Sequence, residues 1–433
     1  GKRQTQLKND SALASKQKAL EIRLNLYGEN HSNTALSYHE IGITQNKLED
    51  YKSALVSNQH ALQIRLKLYG EYHPDTAQSY HEIGCTQSNL KDYKSALKSY
   101  QHALQVRIKL NGKYHSDSGH SYHQIGFIHH NLKDYKSALE SYQHALEIRL
   151  KLFGEYHSCT SLTYHNIGVA QLEMTDYNSA LESHQKALQI RLKLFGEDHH
   201  ETARSYREIG VTHRKMKSYK SALESNQHAL EIRLKLFGKD HRATAQSYDG
   251  IGVTQYDMKN YKSALQSRQH ALQIRLKLFG EDDPETARSY HNIGVTQYQM
   301  TDYNSALESL QKALQIRLKL FGEDHRDTAR SYLEIGTTHR KMKSYKSALQ
   351  SHQHALQIRL KLFGEDDPDT AQTYRHIGLT QHSKQSMQDY KSALESYRKA
   401  LQIRIRLYGE YHPDTAQSYQ DIGIIQDLLK NYK

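Results

Sequence analysis

A tyrosine preceded by Ser or Thr returns every 42 residues, at Tyr38, Tyr80, Tyr122, Tyr164, Tyr206, Tyr248, Tyr290, Tyr332 and Tyr374, with one last step of 45 to Tyr419. The stretch from Thr286 to Asp327 is the unit in full, and close copies of it run almost from end to end. A chain of 433 residues would ordinarily divide into two or three domains. Repetition at a fixed period replaces that expectation: each unit packs only on its neighbours, and the core grows along an axis.

Glycine and proline fix the phase. Of 23 glycines, ten follow Ile (Gly42 to Gly423) and ten follow Leu-Phe, Leu-Tyr or Leu-Asn (Gly28 to Gly409). The second set sits just past a long amphipathic run, where a helix C-terminal glycine belongs. Pro74, Pro284, Pro368 and Pro413 share one phase, directly after His73, Asp283, Asp367 and His412, which marks a capped helix start. Each unit therefore predicts two helices. Helix A, from about Asp75 to Leu90, aligns Ala77, Tyr80, Ile83, Gly84 and Gln87. Helix B, from about Tyr93 to Leu110, aligns Tyr93, Ala96, Leu97, Ala103 and Leu104. The small residues let helices approach and the large ones fill the gaps.

This phasing predicts one repeat array over residues 1–433: a leading helix B in 5–28, nine A/B units in 31–412 and a trailing helix A in 413–433. Three extra residues in HSKQSMQDY, ending at Tyr390, predict an exposed turn between helices. The chain starts at Gly1 and stops where another Asp-Tyr-Lys-Ser-Ala-Leu would begin, so the expectation is a piece of a longer protein. Segments beginning at Thr175 and Thr212 recur at Thr301 and Thr338, an offset of three units that points to block duplication.

Tyr290, Ile293, Gly294, Ala306 and Ala313 stand where the tetratricopeptide repeat has its signature residues, and the unit resembles that repeat along essentially the whole chain. The long helix B and the connector Gly70, Glu71, Tyr72, His73, Pro74, Asp75, Thr76, Ala77 make it similar to the repeats of kinesin light chains and nephrocystin-like scaffolds. Tyrosine replaces the usual tryptophan at helix A position four, and position twenty-four is scattered: Asn58, Tyr100, His184, Arg268, Leu310. A period of 42 also suits HEAT or armadillo arrays, but the Ile-Gly pair and twin alanines favour the tetratricopeptide reading. The resemblance implies an all-α solenoid, a right-handed superhelix of antiparallel helix pairs, with a concave groove lined by helix A.

In repeats that grip a C-terminal carboxylate, position nine is asparagine. Here it is Ile43, Cys85, Phe127, Val169, Val211, Val253, Val295, Thr337, Leu379 and Ile424, which argues against such a clamp. Beside this line, positions two, five and twelve supply Arg204, Arg207, Arg214, Arg288, His291, Arg330, Arg340 and Arg375, with Tyr256 and Tyr298 among them. Early units present His39, His81, His123, His130 and His165 instead. An apolar floor with a planar cationic rim suits an extended peptide with apolar anchors among Asp and Glu. Against this stands the plain alternative that these arginines are solvated surface residues.

The net charge of +12 and pI near 9.2 bring nucleic acid to mind. One Arg per unit, from Arg23 to Arg404, and usually a Lys two residues later fall in the last turns of helix B, where they complement the helix dipole. No aromatic-basic platform repeats, so nucleic acid is a minor reading. Two sets among the 29 histidines keep a fixed phase, one in helix B (His60, His102, His144, His228, His270, His354) and one in the connector, too far apart from unit to unit to share a metal. Local pairs such as His120 with His123, or His352 with His354, offer at most adventitious zinc or nickel binding. Cys85 and Cys159 lie at different phases and predict no bridge, which fits a reducing, cytoplasmic setting. No apolar run of membrane-spanning length is present.

No Cys-His pair, Ser-His-Asp set, paired carboxylates or phosphate loop stands at a unique position, so neither catalysis nor a cofactor is expected. The sequence points to a non-catalytic protein-interaction scaffold. The competing reading is a structural spacer, or a solenoid whose uncapped ends self-associate, attached to an effector domain outside these residues.

Overall fold

The computed structural model describes residues 2–430, with side chains from residue 9 onward, and every regular element among them is a helix. The residues from Asn431 that would open another helix B lie outside the described residues. The chain groups into two compact units, Gly1–Lys217 and Ser218–Lys433.

The first unit holds α1 (Lys2–Tyr27), α2 (Ser32–Lys47), α3 (Tyr51–Tyr69), α4 (Pro74–Asn89), α5 (Tyr93–Asn111), α6 (Ser116–Asn131), α7 (Tyr135–Phe153), α8 (Ser158–Glu173), α9 (Tyr177–Phe195) and α10 (His200–Lys215). The second holds α11 (Tyr219–Phe237), α12 (Arg242–Asp257), α13 (Tyr261–Phe279), α14 (Pro284–Gln299), α15 (Tyr303–Phe321), α16 (Arg326–Lys341), α17 (Tyr345–Phe363), α18 (Pro368–His382), α19 (Met387–Tyr408) and α20 (Pro413–Lys430). Helix A packs on the helix B that follows, as α4 on α5 and α14 on α15, and helix B packs on the next helix A. Each unit is thus a solenoid of helix pairs, and the leading helix begins three residues before the expected boundary.

Capping follows the connector chemistry. His73 accepts at Nδ1 from the Asp75 amide at 3.2 Å, and its ring lies flat on Tyr69 with centroids 4.2 Å apart. Phe195 and His199, at 4.3 Å, repeat the arrangement. Where Asp replaces His, Asp283 accepts from two amides, Glu285 and Thr286. Gly70 holds φ of 76°, which a side chain would strain. The three-residue insertion is exposed from Lys384 to Gln388, as expected, and most of it adds to the start of α19, capped by Ser386.

The core is built from twin alanines. Ala96 and Ala103, like Ala306 and Ala313, are fully buried, and Ile-Gly from helix A meets them. Position twenty-four, scattered in chemistry, is uniform in place. Tyr100, His184 and Leu310 each lie almost fully buried against the glycine of their own unit, where a Cβ on Gly84, Gly168 or Gly294 would come within 2.9, 2.6 and 2.7 Å of them.

Candidate functional site on the helix A face

Neighbouring helices A touch, α2 on α4 in the first unit and α14 on α16 and α16 on α18 in the second. Their second, fifth, ninth and twelfth positions therefore form rows across each stack. Arg204, Arg207, Val211 and Arg214 are half-buried on α10. In the second unit Val253 and Tyr256 of α12, Val295 and Tyr298 of α14, Arg340 of α16 and Arg375 of α18 are half-buried, and Arg288 and Arg330 are exposed.

His291 departs from this pattern. At 2% exposure it belongs to the interior, and burial, with the guanidinium groups of Arg317, Arg330 and Arg268, pushes its imidazole down to about 3. It is not a rim residue, because in this copy position five is enclosed in the interior. The same geometry withdraws His81, His123 and His165, pushed down to about 3, 3 and 2, chiefly by burial. Of the local histidine pairs, His120 lies against His81 at 5.0 Å, and His352 faces His376 at 5.6 Å while His354 stacks on Tyr332.

Most rim arginines already have carboxylates. Arg207 pairs with Glu208, and Arg204 comes to 3.8 Å from Glu201. Arg288 binds Glu285 at 2.5 Å, and Arg375 grips Asp421 with Nε and Nη2 at 2.6 and 3.3 Å. Among the described residues, Arg330 and Arg340 form no ion pair, and both stand on α16. Arg340 Nε is enclosed without a hydrogen-bond partner.

The helix B arginines do more than complement a dipole. Arg65 is 5% exposed and donates through Nη1 to the Asp75 carbonyl at 3.0 Å and to Ser79 Oγ at 2.8 Å, so it clips its helix to the next helix A. Arg191 and Arg317 do the same. Such an arginine also charges the helix A face: Arg275 pairs with Asp249 and with Glu285 at 3.3 Å. The signal was present in the sequence as a Ser or Thr always fourteen residues after the Arg. Acids at position six were missed too. Half-buried Glu334, raised by burial, shares a cavity of about 470 Å³ with Arg326, Arg330, Arg359, Asp327 and Asp369.

A Cys-His contact does exist, contrary to the sequence expectation, because His81 and Cys85 are one turn apart with Nε2 3.6 Å from Sγ. Tyr100 donates to the same sulfur at 3.2 Å, and burial pushes the thiol up to about 11, which keeps it protonated and poor as a nucleophile. Among the described residues no group of three or more His, Cys, Asp or Glu is placed to hold a metal, and no helix is long and apolar enough to cross a membrane.

Stacked helix pairs with a polar, partly apolar helix A face define a repeat solenoid of the interaction type. The chain belongs to the tetratricopeptide repeat family, whose model matches residues 4–66, 57–109, 117–193, 172–235, 209–275, 256–319, 298–361, 327–386 and 382–433. A solved structure agrees in fold. The Signal Transduction ATPase with Numerous Domains protein with a tetratricopeptide repeat sensor from Pyrococcus horikoshii is 14% identical, with a TM-score of 0.56 over 92% of this chain and 55% of that one. A putative kinesin light chain from Podosopora anserina with nearly identical TPR-like repeats is 17% identical, with a TM-score of 0.44 over 48% of this chain and 98% of that one. BtubC (BKLC) from P. vanneervenii is 19% identical, with a TM-score of 0.47 over 53% of this chain and 92% of that one. No curated protein matches the sequence significantly. Repeats of this family suggest a protein-interaction scaffold and are generally non-catalytic.

Proposed function

We propose that the chain is a non-catalytic scaffold that holds an extended acidic peptide with apolar anchors on the helix A face of its second unit. The observation that carries this reading is the coincidence, on successive helices A, of arginines that form no ion pair (Arg330 and Arg340) with half-buried Val253, Val295, Tyr256 and Tyr298. Exposed ion pairs contribute only about 0.2 to 1 kcal/mol each, so the anchors must supply most of the affinity and the arginines the selection. Arg288 and Arg375, already paired within the chain, set the shape of the face.

The test is capture of peptides from an acidic library followed by fluorescence anisotropy. Joint replacement Arg330→Ala and Arg340→Ala is expected to weaken binding about tenfold and to flatten its salt dependence. Binding indifferent to both changes and to salt would sink the proposal.

A further inference from the structure

The twelfth positions of three successive helices A carry different chemistry at one phase: Tyr256 on α12, Tyr298 on α14 and Arg340 on α16. Each tyrosine is fixed edge-on by the first residue of its own helix B, Tyr261 at 5.3 Å and Tyr303 at 5.6 Å between ring centroids. Arg268, itself 6% exposed, lies 4.8 Å from the Tyr256 ring centre. The rings are therefore held from the interior side and remain half-buried, with Val253 and Val295 one turn back on the same helices. Rigid aromatic faces beside valines are receptors for apolar or aromatic side chains.

Arg340 ends the row with the opposite chemistry. The groups that face it from the packed elements include Tyr298 of α14, His352 of α17, His376 of α18 and Tyr397 of α19, and among the described residues it forms no ion pair. His352 is fully buried, and neither of its ring nitrogens has a partner. Arg330, on the same helix, stands in the α16 cavity where three arginines meet three carboxylates. Arg340 is thus the half-buried cation of α16 that forms no ion pair, and its enclosed Nε lacks an acceptor. A partly buried guanidinium without a counter-charge is costly, and an incoming anion relieves that cost.

We infer that this row reads its peptide in register, with two apolar side chains on Tyr256 and Tyr298 and an anionic side chain, carboxylate or phosphate, on Arg340. Packed helix axes stand up to about 10 Å apart, and a polyproline II chain advances about 3.1 Å per residue with every third side chain on one face. One step of the row is then about three residues. The ligand motif is apolar, two spacers, apolar, two spacers, acid, in one of the two chain directions. This inference rests on the reading of the helix A face as a peptide site and adds which side chains are read and in what order.

The experiment uses the full chain and fluorescein-labelled Phe-Ser-Ser-Phe-Ser-Ser-Glu, its reversed sequence, versions with one or two serines inserted before the acid, and versions ending in Gln or phosphoserine. One direction is expected to bind, and each insertion to weaken it at least tenfold. Replacing Glu by Gln in the peptide should weaken it about tenfold against the native chain and not at all against Arg340→Gln. Arg330→Gln should lower both peptides alike, and circular dichroism confirms that each variant is folded. Preference for Glu over phosphoserine, or the reverse, identifies the anion, provided that Arg340→Gln abolishes it. Equal binding of the inserted peptides, or a Glu-to-Gln difference that survives Arg340→Gln, overturns the register while leaving the face as a peptide site. If no member binds, and the acidic library yields nothing either, both readings fall.

Discussion

The two units fill one connector slot with different physics. In the first, Lys109 and Lys193 of helix B lie 3.3 and 3.5 Å from the ring centres of Tyr72 and Tyr156 in the preceding connector. In the second, Lys277, Lys319 and Lys361 reach Asp240, Asp282 and Asp324 from the same two phases, and Arg406 reaches Asp366 at 2.7 Å. The repeat thus demands a partner for a cation there and accepts either a ring face or a carboxylate. The helix A face diverges likewise: position five is His39, His81, His123, His165 and Arg207 in the first unit, but Asp249, His291, Leu333, Arg375 and Gln420 in the second. The first unit thus sets an imidazole at four of its five copies of this position, and the second at one of five.

Acid should separate the units most strongly. Burial pushes His39 and His184 down to about 4, His81 and His123 to about 3 and His165 to about 2 in the first unit. In the second only His291, His352 and His376 are driven so low, to about 3, 3 and 4. Each stays neutral in the fold while its unfolded form takes a proton near pH 6.5, so the unfolded state binds more protons between the two values. Stability is therefore full above pH 6.5 and falls as pH drops below it, by up to about 2 kcal/mol per histidine at pH 5. Hydrogen exchange resolved along the chain at pH 7 and pH 5 is expected to lose more protection before Lys217 than after it; equal loss would break the comparison.

A smaller effect tests whether position twenty-four has the same freedom in both units. A Cβ on Gly126 would meet the Tyr142 ring at 2.7 Å, and one on Gly252 would meet the flexible Arg268 stem at 3.0 Å. Gly126→Ala is expected to cost about 1 to 3 kcal/mol in chemical denaturation, and Gly252→Ala distinctly less, since overpacking is relieved only where the neighbour can move. Equal costs would mean that Arg268, bonded to the Asn292 carbonyl at 2.7 Å, is as rigid as the ring.

The smallest effect concerns the connector pairs. Tyr156→Ala should lose about 0.5 to 1 kcal/mol in low and high salt alike. Asp282→Ala should lose about 0.2 to 1 kcal/mol in low salt and close to nothing in 1 M salt, because both partners are well exposed and screened. Thermal melts in the two salts distinguish them.

Much of this was legible in the residues. Period, caps and helix boundaries followed from local chemistry: His73 before Pro74, Gly70 after Tyr69, and the alternation of Ala and Leu along helix B. The candidate rim was legible only as a set of positions. Nothing local distinguishes Arg340, which lacks a carboxylate, from Arg375, whose Asp421 belongs to the helix A of the next repeat. The helix B arginines looked like dipole partners for the same reason, since Ser79 and the Asp75 carbonyl reach Arg65 only after the next helix has packed.

The sequence by itself determined that this chain is a stack of helix pairs with a fixed phase, because helix formation, capping and small-residue packing act over a few neighbouring residues and are repeated in every unit. Only the tertiary structure decided which copies of a position are buried, paired or left with an unmet charge. Those properties depend on what the next helix brings within about 3 to 4 Å, and residues alike in sequence, such as Arg330 and Arg340, part company there.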